Sequence, residues 1–272
     1  MRGTLRTLAA ALAMVWLVLP LAGCRKKPPS PVDVALTPGV AETGLAQSLA
    51  TSFEHRHGVK FNLRVVPEGE ALRLAQSGAV QVVLTENPSA AQAYAKVARL
   101  SDTLGVLDLA IFGPRHDHAH VHGAPSAVEA LKRIASHEGH FCSAVDAPLV
   151  AKWEGRLWAA AGVDPGKLRH HAVCHGNTLT ALREASLAEA YTLSDARAAS
   201  GTNIEIKQWL EGTEDLRQAY TAILVDHTPR IQRDRDAEWF VQWLTTYSGR
   251  EAVEGYRLDG VQPFMVRDEP AK

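Results

Sequence analysis

Residues 58–84 read GVKFNLRVVPEGEALRLAQSGAVQVVL, and this stretch decides the fold. From residue 59 to 66 apolar Val59, Phe61, Leu63 and Val65 alternate with Lys60, Asn62 and Arg64. That is the period of a strand with one face buried. Residues 68–77 read as a helix that stops at Gly78, and residues 80–84 form a short apolar run of the kind found in fully buried strands. Strand, helix and strand follow one another without a hairpin signal, so the two strands are expected to run parallel with the helix as crossover.

The same rhythm extends both ways. Upstream, residues 32–36 are a short strand broken at Pro38-Gly39, and Thr43 caps a helix with Leu45, Leu49 and Phe53 on its apolar face. Downstream, Pro88 opens a helix to residue 96, and residues 104–112 read as a strand closed by Gly113-Pro114. A second series follows: helix 125–137, strand 141–144, helix 148–161, strand 169–174, helix 178–186 and strand 189–193. The buried stripe of helix 148–161 is Leu149, Val150, Trp153, Leu157 and Trp158. Apolar runs at 204–209 and 220–225 precede an amphipathic helix carrying Trp239, Phe240, Trp243, Leu244 and Tyr247. Two βα groups with late elements returning to the first give a two-lobed α/β architecture, each lobe a mostly parallel sheet flanked by helices. The expected division is residues 32–113 with 215–272 in lobe 1 and 114–214 in lobe 2. A cleft between such lobes is a natural ligand site, and helix amino ends facing it favour anions.

The amino end carries an export signal. Arg2 and Arg6 are followed by an uncharged apolar run over residues 8–19, then Pro20-Leu21-Ala22-Gly23-Cys24. A short apolar stretch with a basic flank and small residues before a cysteine reads as a lipoprotein signal peptide, residues 1–24, with Cys24 as the lipidated residue. Residues 25–31, basic and then proline-rich, form a stiff tether. The expected location is the cell envelope, on the periplasmic face of a membrane, with Arg25 after the cysteine favouring the outer one. Net charge is −1, so the basic footprint of a nucleic-acid binder is absent. No Gly-x-Ser-x-Gly elbow, Lys-Ser/Thr phosphate loop or His-Glu-x-x-His stands in the chain, so no enzyme is expected.

Six stretches, in order, resemble the solute-binding proteins of tungstate and molybdate ABC transporters, the tungstate-type branch of the type II periplasmic binding-protein superfamily. Glu42-Thr43-Gly44-Leu45 stands where that family has Asp-Ser-Gly-Leu. The run from Gly69 to Leu84, the segment DLAIFGP at 108–114, the segment AYTLSD at 190–195 with Arg197, the Trp239 to Thr245 segment, and Gln262-Pro263-Phe264 each follow a family segment. The resemblance spans about residues 34–266 and implies a monomeric binding protein that closes on a small oxyanion and hands it to an ABC permease. The family's binding motifs are mostly lost. Of its hydroxyl-rich loop after the first strand only Thr37 remains; of its Ser-Arg-Gly-Asp-Asp-Ser-Gly-Thr segment Ser143 and Asp146 remain, with Ala144 at the arginine; Gly176, Asn177 and Thr178 keep most of a third motif. These six residues are the candidate ligand set. A dehydrated dianion without a cation costs several kcal/mol, so the scaffold is kept while the ligand is expected to differ. Two other readings stand beside this one: a degenerate binding-protein fold serving as sensor or interaction module, and a periplasmic metal-handling protein.

Histidine is the candidate replacement cation, with His140, His170, His171 and His175 near the second set of strand ends. Cys142 and Cys174 are expected as neighbours, at the ends of consecutive strands. They pair as a disulfide, lie buried as thiols, or bind zinc or copper together with His175, and the residues leave all three open. His116, His118, His120 and His122 alternate after Pro114; in an extended chain they would share a face and hold zinc, nickel or copper weakly, and in a solvated loop they would hold nothing.

Overall fold

The structure, a computed structural model, describes residues 30–227, 231–258 and 260–266. The expected signal peptide, Cys24 and most of the tether lie outside the described residues.

The chain folds as an α/β protein with strands alternating with helices. Strands β1 (Val32–Leu36), β2 (Phe61–Val65) and β3 (Val82–Thr85) are joined by helices α1 (Pro38–Glu42), α2 (Leu45–His57) and α3 (Glu68–Gln76), and pair in parallel about β1. After the short α4 (Ala90–Ala93) comes β4, which runs unbroken from Ala98–Gly113. Helix α5 (Ala127–Ser136), β5 (Phe141–Ala144), α6 (Pro148–Ala161), β6 (His171–Cys174), α7 (Thr178–Leu187), β7 (Thr192–Asp195) and β8 (Lys207–Glu211) follow. The chain returns through β9 (Arg217–Val225), α8 (Gln232–Thr245), α9 (Tyr247–Glu254) and β10 (Phe264–Met265).

The first sheet has the order β10-β4-β9-β3-β1-β2. Strand β9 lies antiparallel between β3 and β4, so β1, β2, β3 and β4 all point one way. Beyond Asp108 the same strand β4 leaves β9 and pairs β7 through Leu109 to Phe112 and β8 through Ala110 to Gly113. Strand β7 continues to β5 through the Phe141–Tyr191 bridge, and β5 pairs β6 in parallel. The second sheet therefore begins inside β4, a few residues before position 114.

Several bounds differ from expectation for local reasons. The strand expected at 104–112 begins at Ala98, because β9 offers partners as far as Val225. The helix expected from 88 to 96 shrinks to Ala90–Ala93. The helix expected to carry residues 239–247 on one face breaks at Thr246, whose hydroxyl accepts the Gly249 N–H and starts α9. Gly249 is required there, since any Cβ would collide with the Trp243 carbonyl. The break leaves Tyr247 83% exposed and outside the stripe. Phe53 instead collects Trp239, Phe240 and Trp243, each with ring centroids 5.3 Å from its own, and this edge-on cluster seats α2 and α8 together.

Candidate functional site

A cleft opens where β4 passes from one sheet to the other, and α6 lies along it. One part is polar. Gly39, Glu42 and Glu86 stand on the first-sheet side, Lys152, Trp153 and Arg156 of α6 face them, and Gln218 and Tyr220 of β9 form the floor. The other part is mainly apolar, with Leu107, Leu109, Pro148, Leu149 and Val261 closing on Thr178 and Asp195. Leu107 and Leu149 line both. The polar part encloses only about 20 Å³, room for about one water.

The loop after β1 is satisfied from within. Thr37 is buried, and its N–H reaches the Leu84 carbonyl at 3.1 Å. Its hydroxyl donates to Glu86 Oε2, and the Gly39 N–H donates to Oε1 of the same carboxylate at 3.1 Å. Gly39 makes this approach possible, because a methyl there would strike Glu86 Oε1. Gln218 Nε2 donates to the Glu86 carbonyl at 2.6 Å and fixes the loop to β9.

A second carboxylate holds the loop after β6, outside the cleft lining. Asp146 Oδ2 accepts the Gly176 N–H at 2.9 Å and faces His175 Nδ1 at 3.2 Å. The Gly176 N–H, and then His175, hold this exposed carboxyl below its usual range. Asn177 caps α7 by accepting the Thr180 N–H at 3.0 Å, and Gly176 turns the chain into it at φ +82°. Of the six candidate residues, Thr178 lines the apolar part, Thr37 bonds to Glu86 after β3, Asp146 and Gly176 bond to each other between the loops after β5 and β6, and Asn177 caps its own helix. Ser143 is directed inward. Its hydroxyl donates to Glu154 of α6 and lies 2.8 Å from His171 Nε2, which then donates to it. Burial raises the Glu154 carboxyl to about 7 against the opposing hydrogen bond from Ser143. Glu154 Oε2 makes no complete hydrogen bond within the described residues.

The cysteine sulfurs are bonded to each other, with Cα atoms 5.7 Å apart. Cys142 sits within β5 rather than at its carboxyl end, where Ala144 stands opposite Cys174. The bonded sulfurs offer no thiolates, so of the three readings left open for Cys142 and Cys174 the disulfide is the one the structure contains. The second histidine group does not lie along one extended face. Asp117 accepts the N–H groups of Val121 and His122 and the Tyr191 hydroxyl, which folds the loop instead of extending it. His116 faces His118, whereas His120 packs on His137 and His122 on Trp209. Among the described residues no group of three or more His, Cys, Asp or Glu side chains converges to hold a metal.

Sequence reading missed Glu42, Glu86, Lys152 and Arg156, which are unremarkable charges in the chain; Lys152 and Arg156 share an α6 face only through their spacing of four. Lys152 Nζ pairs with Glu42 Oε2 across the cleft at 2.8 Å. Arg156 lies over the Trp153 ring at 5.3 Å. Trp153 Nε1 donates to the Asp215 carbonyl at 2.8 Å, and the Asp215 carboxylate in turn receives the first N–H groups of α5. Tyr220 is 4% exposed; burial, and then the nearby Glu86 and Glu42, hold its phenol firmly protonated.

No protein-family model matches the chain. A Haloferax volcanii protein named as an ABC transporter anion-binding protein is 29% identical over 254 residues, 86% of this chain and 71% of that one. The tungstate-binding protein TupA of Peptoclostridium acidaminophilum is 25% identical, covering 92% of this chain and 94% of its own. The solved tungstate-binding protein TupA of Desulfovibrio alaskensis G20 superposes with TM-score 0.59 at 27% identity, over 88% of this chain and all of that one. These relatives are binding proteins rather than enzymes. The resemblance read from the sequence therefore holds: the homologues of this chain are anion- and tungstate-binding proteins, and its fold is that of the type II periplasmic binding proteins.

Proposed function

We propose that the chain is the extracytoplasmic solute-binding component of an ABC transporter, anchored through a lipid on Cys24, in which the donors its relatives present to an oxyanion are occupied by the chain's own carboxylates. One observation carries this reading: Glu86 takes both the Thr37 hydroxyl and the Gly39 N–H. A tungstate dianion brought to that place would meet Glu86 and Glu42 at once, and like charges at a few ångströms in a poorly solvated cleft repel by several kcal/mol. In action the two sheets rock about β4 and the β8–β9 connection, and the closed form presents itself to a permease. Among the described residues no helix is long and apolar enough to cross a membrane.

The test is a thermal-shift series with tungstate, molybdate, sulfate and phosphate. A ligand at 100 times its dissociation constant stabilises by about 2.7 kcal/mol, and none of the four is expected to raise the midpoint at micromolar levels. A clear response to micromolar tungstate overturns the reading. The internal bonding of both loops also favours a second reading, a sensor or interaction module that uses the closed fold as such. A permease and ATPase gene pair beside this gene speaks for transport; a lone gene or a sensor-kinase neighbour speaks for the second.

A further inference from the structure

The polar part of the cleft has walls of opposite charge. Glu42 and Glu86 stand on the first-sheet side and Lys152 and Arg156 on α6, so the four formal charges cancel. The only direct bridge between these walls among the described residues is Lys152 to Glu42. Both partners are more than a third exposed, which makes it a weak, exchangeable contact. Arg156 has no ion-pair partner among the described residues. Its guanidinium is stacked on Trp153, which orients it without neutralising it. Between the walls the Tyr220 hydroxyl, on a side chain 96% buried, has no hydrogen-bond partner among the described residues and faces the cleft.

We propose that this cleft takes a small zwitterion, its cationic end against Glu42 and Glu86 and its carboxylate or sulfonate end against Lys152 and Arg156, with Tyr220 donating to the anionic group. The proposal rests on the reading of the chain as a solute-binding protein whose dianion grip is filled, and it names the solute class. A dianion leaves the cleft with a net charge of −2, whereas a zwitterion leaves it neutral while both walls gain partners. A carboxylate alone satisfies Arg156 but leaves Glu42 without its lysine. The cleft is too small for a solute when closed, so entry opens it at the Lys152–Glu42 pair, and the solute restores that contact through itself.

The experiment is calorimetric titration and thermal shift of the full-length protein with glycine, glycine betaine and taurine. Acetate, tetramethylammonium and tungstate are run in parallel. At least one zwitterion is expected to bind and raise the midpoint, with acetate and tetramethylammonium at least tenfold weaker. Arg156→Ala and Glu42→Gln each weaken the zwitterion at least tenfold; both positions are exposed, so their melting midpoints without solute stay at the parent value. Binding by no zwitterion, or zwitterion binding indifferent to both substitutions, overturns the proposal. If all three zwitterions and tungstate are silent, the solute class fails and the filled grip stands. A tungstate response without zwitterion binding sinks both.

Discussion

The loop after β1 and the loop after β6 each have a glycine N–H taken by a carboxylate. They differ in how the carboxylate is held. Glu86 is drawn in by a buried hydroxyl, a backbone N–H and a glycine with no room for a side chain, and its own carbonyl is tied to Gln218. Asp146 is exposed where it meets the Gly176 N–H and His175. The first closure is part of the folded core, whereas the second is a surface arrangement resting on a sheet stapled elsewhere.

The largest effect is expected at the staple. Opening Cys142–Cys174 with reductant, or replacing both by alanine, frees a loop closed over 32 positions and should lower stability by roughly 3–4 kcal/mol. Denaturant midpoints with and without reductant measure it, and an unchanged midpoint would show that β5 and β6 hold the second loop unaided. Next comes pH. Glu154 is raised from 4.5 to about 7 in the folded protein, so the unfolded chain loses that proton first. Stability present below about pH 4.5 is then lost as pH rises towards 7, by on the order of 3 kcal/mol. Asp195, raised by burial from 3.8 to about 6, acts in the same direction over its own window. Glu154→Gln should flatten the fall between pH 5 and 7.5 in thermal melts; a wild-type midpoint that climbs over that range contradicts the assignment.

At the loop after β1, Glu86→Ala leaves the Thr37 hydroxyl and the Gly39 N–H without their acceptor and should cost about 1–3 kcal/mol, read from urea midpoints. Asp146→Asn should give the smallest change, a midpoint near that of the parent protein, since the carboxylate is exposed. Equal effects at 86 and 146 would erase the contrast drawn between the loops.

Much of the architecture was legible because hydrophobic period is local. The alternation at 59–66 and the apolar runs at 32–36 and 80–84 became the parallel strands β2, β1 and β3. The antiparallel insertion of β9 between β3 and β4 was not legible, because a buried strand looks the same whichever way its neighbours run. The site was less readable. Ser143 occupies a family position, yet its direction depends on Glu154 eleven residues on and on His171 in the next strand. Glu86 follows β3 as an ordinary loop acid, and only the pairing of β3 with β1 brings it to Thr37.

From the order of residues alone came the α/β plan of strands alternating with helices and the likeness to tungstate-type binding proteins. Tertiary structure alone decided which charges meet in the cleft: Glu42 and Lys152 lie 110 positions apart and become partners because β4 carries the chain from one sheet to the other. Hydrophobic pattern is written within a few residues, whereas the neighbours of a charge are set by the packing of whole strands and helices.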